Sequence, residues 1–248
     1  MFFNGEIVII TGGAQGIGKA IADSFVKEGA IPIILDINTE KGEKLIFEYR
    51  HENYIASFIK CDVSNISDIE KAIHEISDKY GTVDVLVNNA GIVHSTPIEN
   101  ITEEEWDKII NINLKSVFFM SQKVIPFMKN NNSGKIVNIS SLAGRMGGIA
   151  NGLGYTATKS AIIGLTYGFA RRLAKYNINV NAIAPGTTET DILNAFTKSK
   201  IQELKNSVPL KRLGKPEDIA DAVIFLASSM SDFVTGAVID INGGMFTG

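Results

Sequence analysis

The sequence is short of the residues that build metal sites and cross-links. It holds one cysteine, Cys61, and three histidines, His51, His74 and His94. A lone cysteine excludes an internal disulfide and fits a reducing compartment. The histidines stand far apart and lack ligand spacing, so no metal site is expected. Long apolar runs are missing too, and "EIVII" and "IPIIL" are far too short to span a bilayer. Neither a basic block nor an acidic tail occurs: 24 basic and 27 acidic residues are mixed along the chain, for a formal charge of −3. That balance favours neither nucleic acid nor a membrane surface as a partner. The opening "MFFNGEIVII" has no basic stretch and carries Glu6 just before its apolar run, so it is not read as a signal peptide. The expectation is a cytoplasmic protein.

What is present is an alternation. The 248 residues are 45% hydrophobic and 21% charged, a globular composition with room for one α/β domain or two small ones. Seven short apolar runs read as strands: "EIVIITG", "IPIILD", "ASFIKCD", "VDVLVNN", "KIVNIS", "INVNAIAP" and "AVIDING". Each is nearly all apolar, which predicts strands covered on both faces. Between them lie amphipathic stretches such as "GKAIADSFVKEG" and "SDIEKAIHEISDKYG", which end in glycine as helices often do. Strand–helix alternation means crossovers and a parallel sheet. No linker or repeat interrupts it. The predicted fold is α/β, one doubly wound domain over residues 1–248, with ligands at the carboxyl ends of the strands.

The first strand runs into "TGGAQGIG", with Gly12, Gly16 and Gly18 ahead of the helical "KAIADSF". Glycine lets the backbone turn tightly near a pyrophosphate, and a helix N-terminus presents free N–H groups to that anion. Gln15 and Ile17 complete the turn and join the cofactor set. Asp36 closes the second strand about 20 residues on, where an acid can bond the adenosine ribose hydroxyls. It would repel a 2′-phosphate, Ile37 follows it, and Gln15 brings no charge, so NAD is favoured over NADP. After the third strand, Asp62 and Val63 could hold the adenine edge, although an Asp there is also a common helix cap. "NNAG" closes the fourth, placing Asn89, Ala90 and Gly91 beside the cofactor.

"YTATKSA" puts Tyr155 and Lys159 four positions apart, which on a helix is one face. A free phenol titrates near pH ~10, and a nearby ammonium favours its ionised form. Lys159 is therefore expected to lower the Tyr155 pKa.

Together these stretches, with "NINLK", "NISSLAG", "INVNAIAPG" and the terminal "INGG", resemble the short-chain dehydrogenase/reductase family over essentially the whole chain. The glycine spacing is that of its single-domain members. The resemblance implies a Rossmann-type sheet of order 3-2-1-4-5-6-7 and a homotetramer. It also implies roles: Tyr155 as acid/base, Lys159 as its partner, and Ser141 as the hydroxyl that positions the substrate oxygen. Ser141 is preferred to Ser140 because the family's serine lies just before the "LAG"-like turn. Asn113, rather than Asn111, matches the asparagine that supports a water-linked proton relay. The "APG" stretch and the loop beyond it imply Pro185, Gly186, Thr188 and Thr190 as cofactor contacts. Residues 187–213 correspond to a lid over the substrate, with Leu193 and Phe196 as apolar contacts. The interval from Ser141 to Tyr155 is one residue longer than in many relatives.

The activity implied is NAD-dependent interconversion of a small-molecule secondary alcohol and a ketone. One close pattern within the family, in "PLKRLGKPEDIA" and "INGGM", is 3-oxoacyl-(acyl-carrier-protein) reductase. Asp36, and the "NNNS" and "KYNIN" found where such enzymes carry basic residues, weigh against it. A non-catalytic NAD-binding regulator would have no use for the proton relay, and a methyltransferase none for the Tyr–Lys pair. Among remaining residues, His94 could face the substrate or merely be solvated, and Arg145 could meet an anion or a surface carboxylate. Thr102 and Glu105 read as a capping box, with Trp106 anchoring that helix. Cys61 reads as a small core residue.

Overall fold

The computed structural model describes residues 1–148, 152–190 and 196–248. The chain runs β1 (Ile7–Thr11), α1 (Gly16–Lys27), β2 (Ile31–Asp36), α2 (Thr39–His51), β3 (Ser57–Lys60), α3 (Ile66–Tyr80) and β4 (Val85–Asn88). It continues through α4 (Glu103–Ile110), α5 (Ser116–Asn130), β5 (Gly134–Ile139), α6 (Leu142–Met146), α7 (Leu153–Leu173) and β6 (Ile178–Pro185). Then come α8 (Lys198–Ser207), α9 (Pro216–Ala227) and β7 (Val238–Ile241). The strands form one parallel sheet of order 3-2-1-4-5-6-7. All seven strands expected from the sequence are present.

Alternate side chains on a strand point to opposite faces, so one apolar run feeds two cores. On β1, Val8 and Ile10 pack beneath α1, α2 and α9, with Phe25, Leu45 and Val223. Ile7 and Ile9 face the other layer, with Ile69 of α3, Met120 of α5 and Leu173 of α7. Burial on both faces does not hold for β3 and β7: these are the outer strands, and their side chains are mostly half-buried. Cys61 lies just past β3 in the second core, where burial pushes its thiol up to about 12.

Local chemistry sets the ends. Asn38 and Asn65 cap α2 and α3 by accepting from Lys41 and Ser67 backbone N–H groups, and α3 stops at Gly81 with φ of 70°. Thr102 caps α4 by accepting the Glu105 N–H at 3.2 Å. The reciprocal arm of the expected box is missing, because the Glu105 carboxylate turns away to the Thr96 hydroxyl and His94. Trp106 is partly exposed, with one edge of its ring beside Gly154 at the start of α7. Between α4 and α5 the helix widens to a π-turn at Asn111–Lys115, a device common at functional sites. Among the described residues, no helix is long and apolar enough to cross a membrane.

Candidate active site

The carboxyl ends of β1 and β4 are stitched together. Thr11 Oγ1 accepts the N–H groups of Asn89 and Ala90, each at 3.0 Å, and Asn89 Nδ2 donates to the carbonyls of Thr11 and Gly12, each at 3.0 Å. This brings "NNAG" against the glycine turn. A Cβ on Gly18 would stand 2.1 Å from the Gly12 carbonyl oxygen, so the first turn of α1 sits directly on the loop. Gly16 has a left-handed φ of 55°, and the space a Cβ would take there faces Thr190 at 3.7 Å. Gln15 is the N-cap of α1 but makes no side-chain cap, and the first turn carries no acid. Its N–H groups and positive dipole end remain available to an anion.

At the end of β2, Asp36 is buried and both its oxygens hold backbone: Oδ2 accepts from Ala14 N at 3.1 Å and Oδ1 from Asn38 N at 2.9 Å. The carboxylate therefore shapes the mouth of the glycine loop. Lys41, in the first turn of α2, donates to Gln15 Oε1, so a cation also stands at this mouth. Asp62 Oδ1 accepts from the Ser64 amide and hydroxyl at 2.9 and 2.7 Å, and the cap of α3 is Asn65 instead. Val63 turns its side chain into the core, as Ile17 partly does, so neither side chain is turned toward the mouth of the site.

The two serines after β5 separate cleanly. Ser140 Oγ is buried and donates to the Lys159 carbonyl at 2.7 Å. Ser141 caps α6 by accepting Ala143 N at 3.1 Å, and its hydroxyl is close enough to the Tyr155 phenol to favour the ionised form. Lys159 is buried, donates to the Ile139 carbonyl at 2.7 Å, and lies 5.7 Å from the Tyr155 ring centroid. Asn113, at the π-turn, is fully buried: Nδ2 donates to the Ile92 carbonyl and Oδ1 accepts the Ile92 N–H, both at 2.8 Å. A Cβ on Gly91 would sit 3.4 Å from Asn113 Oδ1 and 3.5 Å from Lys159 Nζ. Only a hydrogen keeps that space open. Open glycine positions along one edge, next to an uncapped helix N-terminus, fit a dinucleotide.

The electrostatics differ from the sequence expectation. Burial raises the Tyr155 pKa, and the Ser141 hydrogen bond opposes that rise. Lys159 does not bring it down here, because burial pulls its own pKa to about 8 and its ammonium bonds a carbonyl.

Pro185 ends β6, Gly186 N donates to the Ile241 carbonyl at 2.9 Å, and Thr188 Oγ1 donates to the Gly186 carbonyl at 3.2 Å. The loop bearing Thr188 and Thr190 thus lies beside the site. Leu193 falls outside the described residues, Phe196 is exposed, and α8 buries none of its side chains. Arg145 is committed elsewhere: Nη2 lies 3.2 Å from Asp240 Oδ2, and its guanidinium covers the Phe246 ring at 4.8 Å. His94 packs beneath the start of α7. Sequence reasoning missed the structural parts of Thr11, Ser140 and Lys41, none of which carries a local signal.

A family model described as enoyl-(acyl carrier protein) reductase matches residues 12–246. The 3-oxoacyl-(acyl-carrier-protein) reductase FabG of Thermotoga maritima is 40% identical over 245 residues, covering 99% of both chains. The FabG of Vibrio harveyi is 38% identical over 246 residues, again covering 99% of both. A proposed gluconate dehydrogenase from Agrobacterium tumefaciens superposes with a TM-score of 0.94 at 33% identity, over 98% of this chain and 96% of its own. Sheet order, glycine turn and full-length similarity agree: the chain belongs to the short-chain dehydrogenase/reductase family of oxidoreductases.

Proposed function

We propose that the chain binds NAD(H) and interconverts a secondary alcohol and a ketone, with Tyr155 as acid and base. The observation that carries this is the convergence of Tyr155, Ser141 and Lys159 beside Gly91, in the "NNAG" segment that packs on the glycine turn. When bound, the nicotinamide supplies hydride acceptance or donation. In reduction, Tyr155 gives its proton to the carbonyl oxygen while Ser141 donates a hydrogen bond to the same oxygen as charge develops. In oxidation, tyrosinate takes the alcohol proton. The raised pKa keeps the phenol protonated at neutral pH and suits the donor role. Lys159 stays largely cationic below about pH 8 and binds the nicotinamide ribose, while the Ser141 hydrogen bond is the contact that favours the tyrosinate. Asn113 supports a water that returns protons to Lys159.

Gly12, Gln15, Gly16, Ile17 and Gly18 hold the pyrophosphate, Asp62 and Val63 the adenine, and Pro185, Gly186, Thr188 and Thr190 the nicotinamide side. Asp36 favours NAD over NADP, since a 2′-phosphate would meet its carboxylate, while Lys41 tempers that preference. We read residues 1–248 as one domain with a lid near 187–213. We also read a cytoplasmic homotetramer, in which exposed Phe118 and Tyr167 are side chains a subunit contact would cover.

A second reading is 3-oxoacyl-(acyl-carrier-protein) reductase, the activity for which both FabG relatives are named. A specific observation favours it: Lys129 and Lys175 flank the Tyr176 ring at 4.4 and 5.0 Å. The two helix ends therefore present a basic pair that an acidic carrier could dock against, which the sequence alone did not reveal. One assay separates the readings: oxidation of NADH and NADPH with a panel of ketones and a 3-oxoacyl carrier thioester. Turnover of simple ketones with NADH supports the first, and selective NADPH-dependent reduction of the thioester supports the second. Inertness toward every substrate in both directions would leave a cofactor-binding regulator.

A further inference from the structure

We propose that His94 is a positioning residue for Tyr155, its imidazole wedged between α4 and the N-terminus of α7. The proposal rests on the reading of Tyr155 as acid/base. The side chain of His94 is only 11% exposed, and Nδ1 lies 3.2 Å from Glu105 Oε1. The same carboxylate takes the Thr96 hydroxyl, so loop and α4 are tied at one oxygen. On the other side the ring meets α7. The His94 carbonyl accepts the Gly152 N–H at 2.7 Å. A Cβ on Gly152 would be 2.4 Å from the imidazole Cε1, and one on Gly154 would be 3.1 Å from Nε2. Gly152 caps α7 without any side-chain hydrogen bond, and Tyr155 is in the first helical turn.

The wedge is braced from upstream as well. Two residues before His94, Ile92 exchanges both its backbone bonds with Asn113, each at 2.8 Å. The segment from Ile92 to His94 is therefore pinned to the π-turn at one end and to the start of α7 at the other. Because Gly152 and Gly154 carry no Cβ, the imidazole packs against the backbone of that turn, with Ile109 and Trp106 also bordering it on the Gly154 side. Loss of the ring leaves a void under Gly152 and Gly154, in the turn that carries Tyr155. A displacement of about 1 Å in a reacting group costs up to about 100-fold in rate.

The test compares His94→Ala, His94→Gln, Gly152→Ala and the double variant His94→Ala/Gly152→Ala. It reads NADH affinity by fluorescence titration, melting temperature, amide hydrogen exchange and turnover of the best ketone in the panel. His94→Ala is expected to speed exchange about tenfold across residues 153–158 while β4, β5 and α9 keep their protection. Turnover falls about 10- to 100-fold with NADH affinity unchanged. Glutamine, which keeps much of the ring's volume and places an amide beside Glu105, restores most of both. Gly152→Ala presses a methyl into the same ring and gives the same signature, and the double variant is no worse than the poorer single one. Unchanged exchange in His94→Ala, a glutamine no better than alanine, or losses that multiply in the double variant would each overturn the proposal. If His94→Ala does not fold, an unaltered α7 start in Gly152→Ala overturns it equally. An error in the Tyr155 reading shows differently, since Tyr155→Phe would then stay active whatever His94→Ala does to exchange.

Discussion

The ammonium of Lys159 lies 5.7 Å from the centroid of the Tyr155 ring and donates to the Ile139 carbonyl at 2.7 Å. A buried cation of this kind leaves a mark on stability. Burial lowers Lys159 from 10.5 to about 8, so between those values the unfolded chain holds a proton that the folded chain lacks. Unfolding free energy from this group must rise with pH across that window. Cys61, raised from 9.0 to about 12, acts in the opposite sense above pH 9, because there the folded chain keeps the proton. Comparing wild type with Lys159→Met by urea unfolding isolates the lysine. Wild type is expected to gain on the variant from pH 8 to 10, and a pH-independent difference would refute the burial argument.

The two serines after β5 should part in experiment as they do in space. Ser140→Ala loses the bond to the Lys159 carbonyl and costs about 1 kcal/mol of stability, with activity largely kept. Ser141→Ala also loses a cap worth about 1 kcal/mol, but its turnover falls about 100- to 1,000-fold. Steady-state rates and denaturant melts on both variants check this, and a reversed order of activities would exchange their roles.

Asp36→Ala removes the acceptor for two backbone N–H groups at the mouth of the glycine loop. NADH binding should weaken while NADPH binding improves relative to it. Fluorescence titration with both cofactors measures the ratio, and an unchanged ratio would make Asp36 a loop brace alone.

Gly18→Ala forces a methyl to within 2.1 Å of the Gly12 carbonyl, and backbone must move to admit it. Overpacking of this sort costs about 1–3 kcal/mol. NADH affinity should collapse with it, because α1 and the loop separate, and calorimetry on the variant reads both effects.

Much of this architecture was legible because apolar runs of strand length, broken by amphipathic stretches, admit few arrangements. The glycine turn, Asp36 and the Tyr155–Lys159 spacing announced the edge of the sheet where chemistry sits. Other features depend on what meets across the fold. Glu105 has the spacing of a capping box, yet its carboxylate takes the Thr96 hydroxyl instead, beside the buried imidazole of His94. The π-turn that presents Asn113 leaves no trace in "NINLK", since its extra residue per turn is set by packing. Arg145 was open to an anion or to a carboxylate, and only the fold decides, since β7 and the C-terminal segment bring Asp240 and Phe246 to it. Lys129 and Lys175 are distant in sequence and meet only at the Tyr176 ring.

Tyr155→Phe removes one oxygen and leaves the packing of the ring in place, so it probes the proton step more directly than any other change. Measured as turnover beside an NADH titration, the variant should lose activity by a factor of at least about 100 while cofactor affinity stays within twofold. Turnover near that of wild type, with cofactor bound normally, would show that the proton travels by another group.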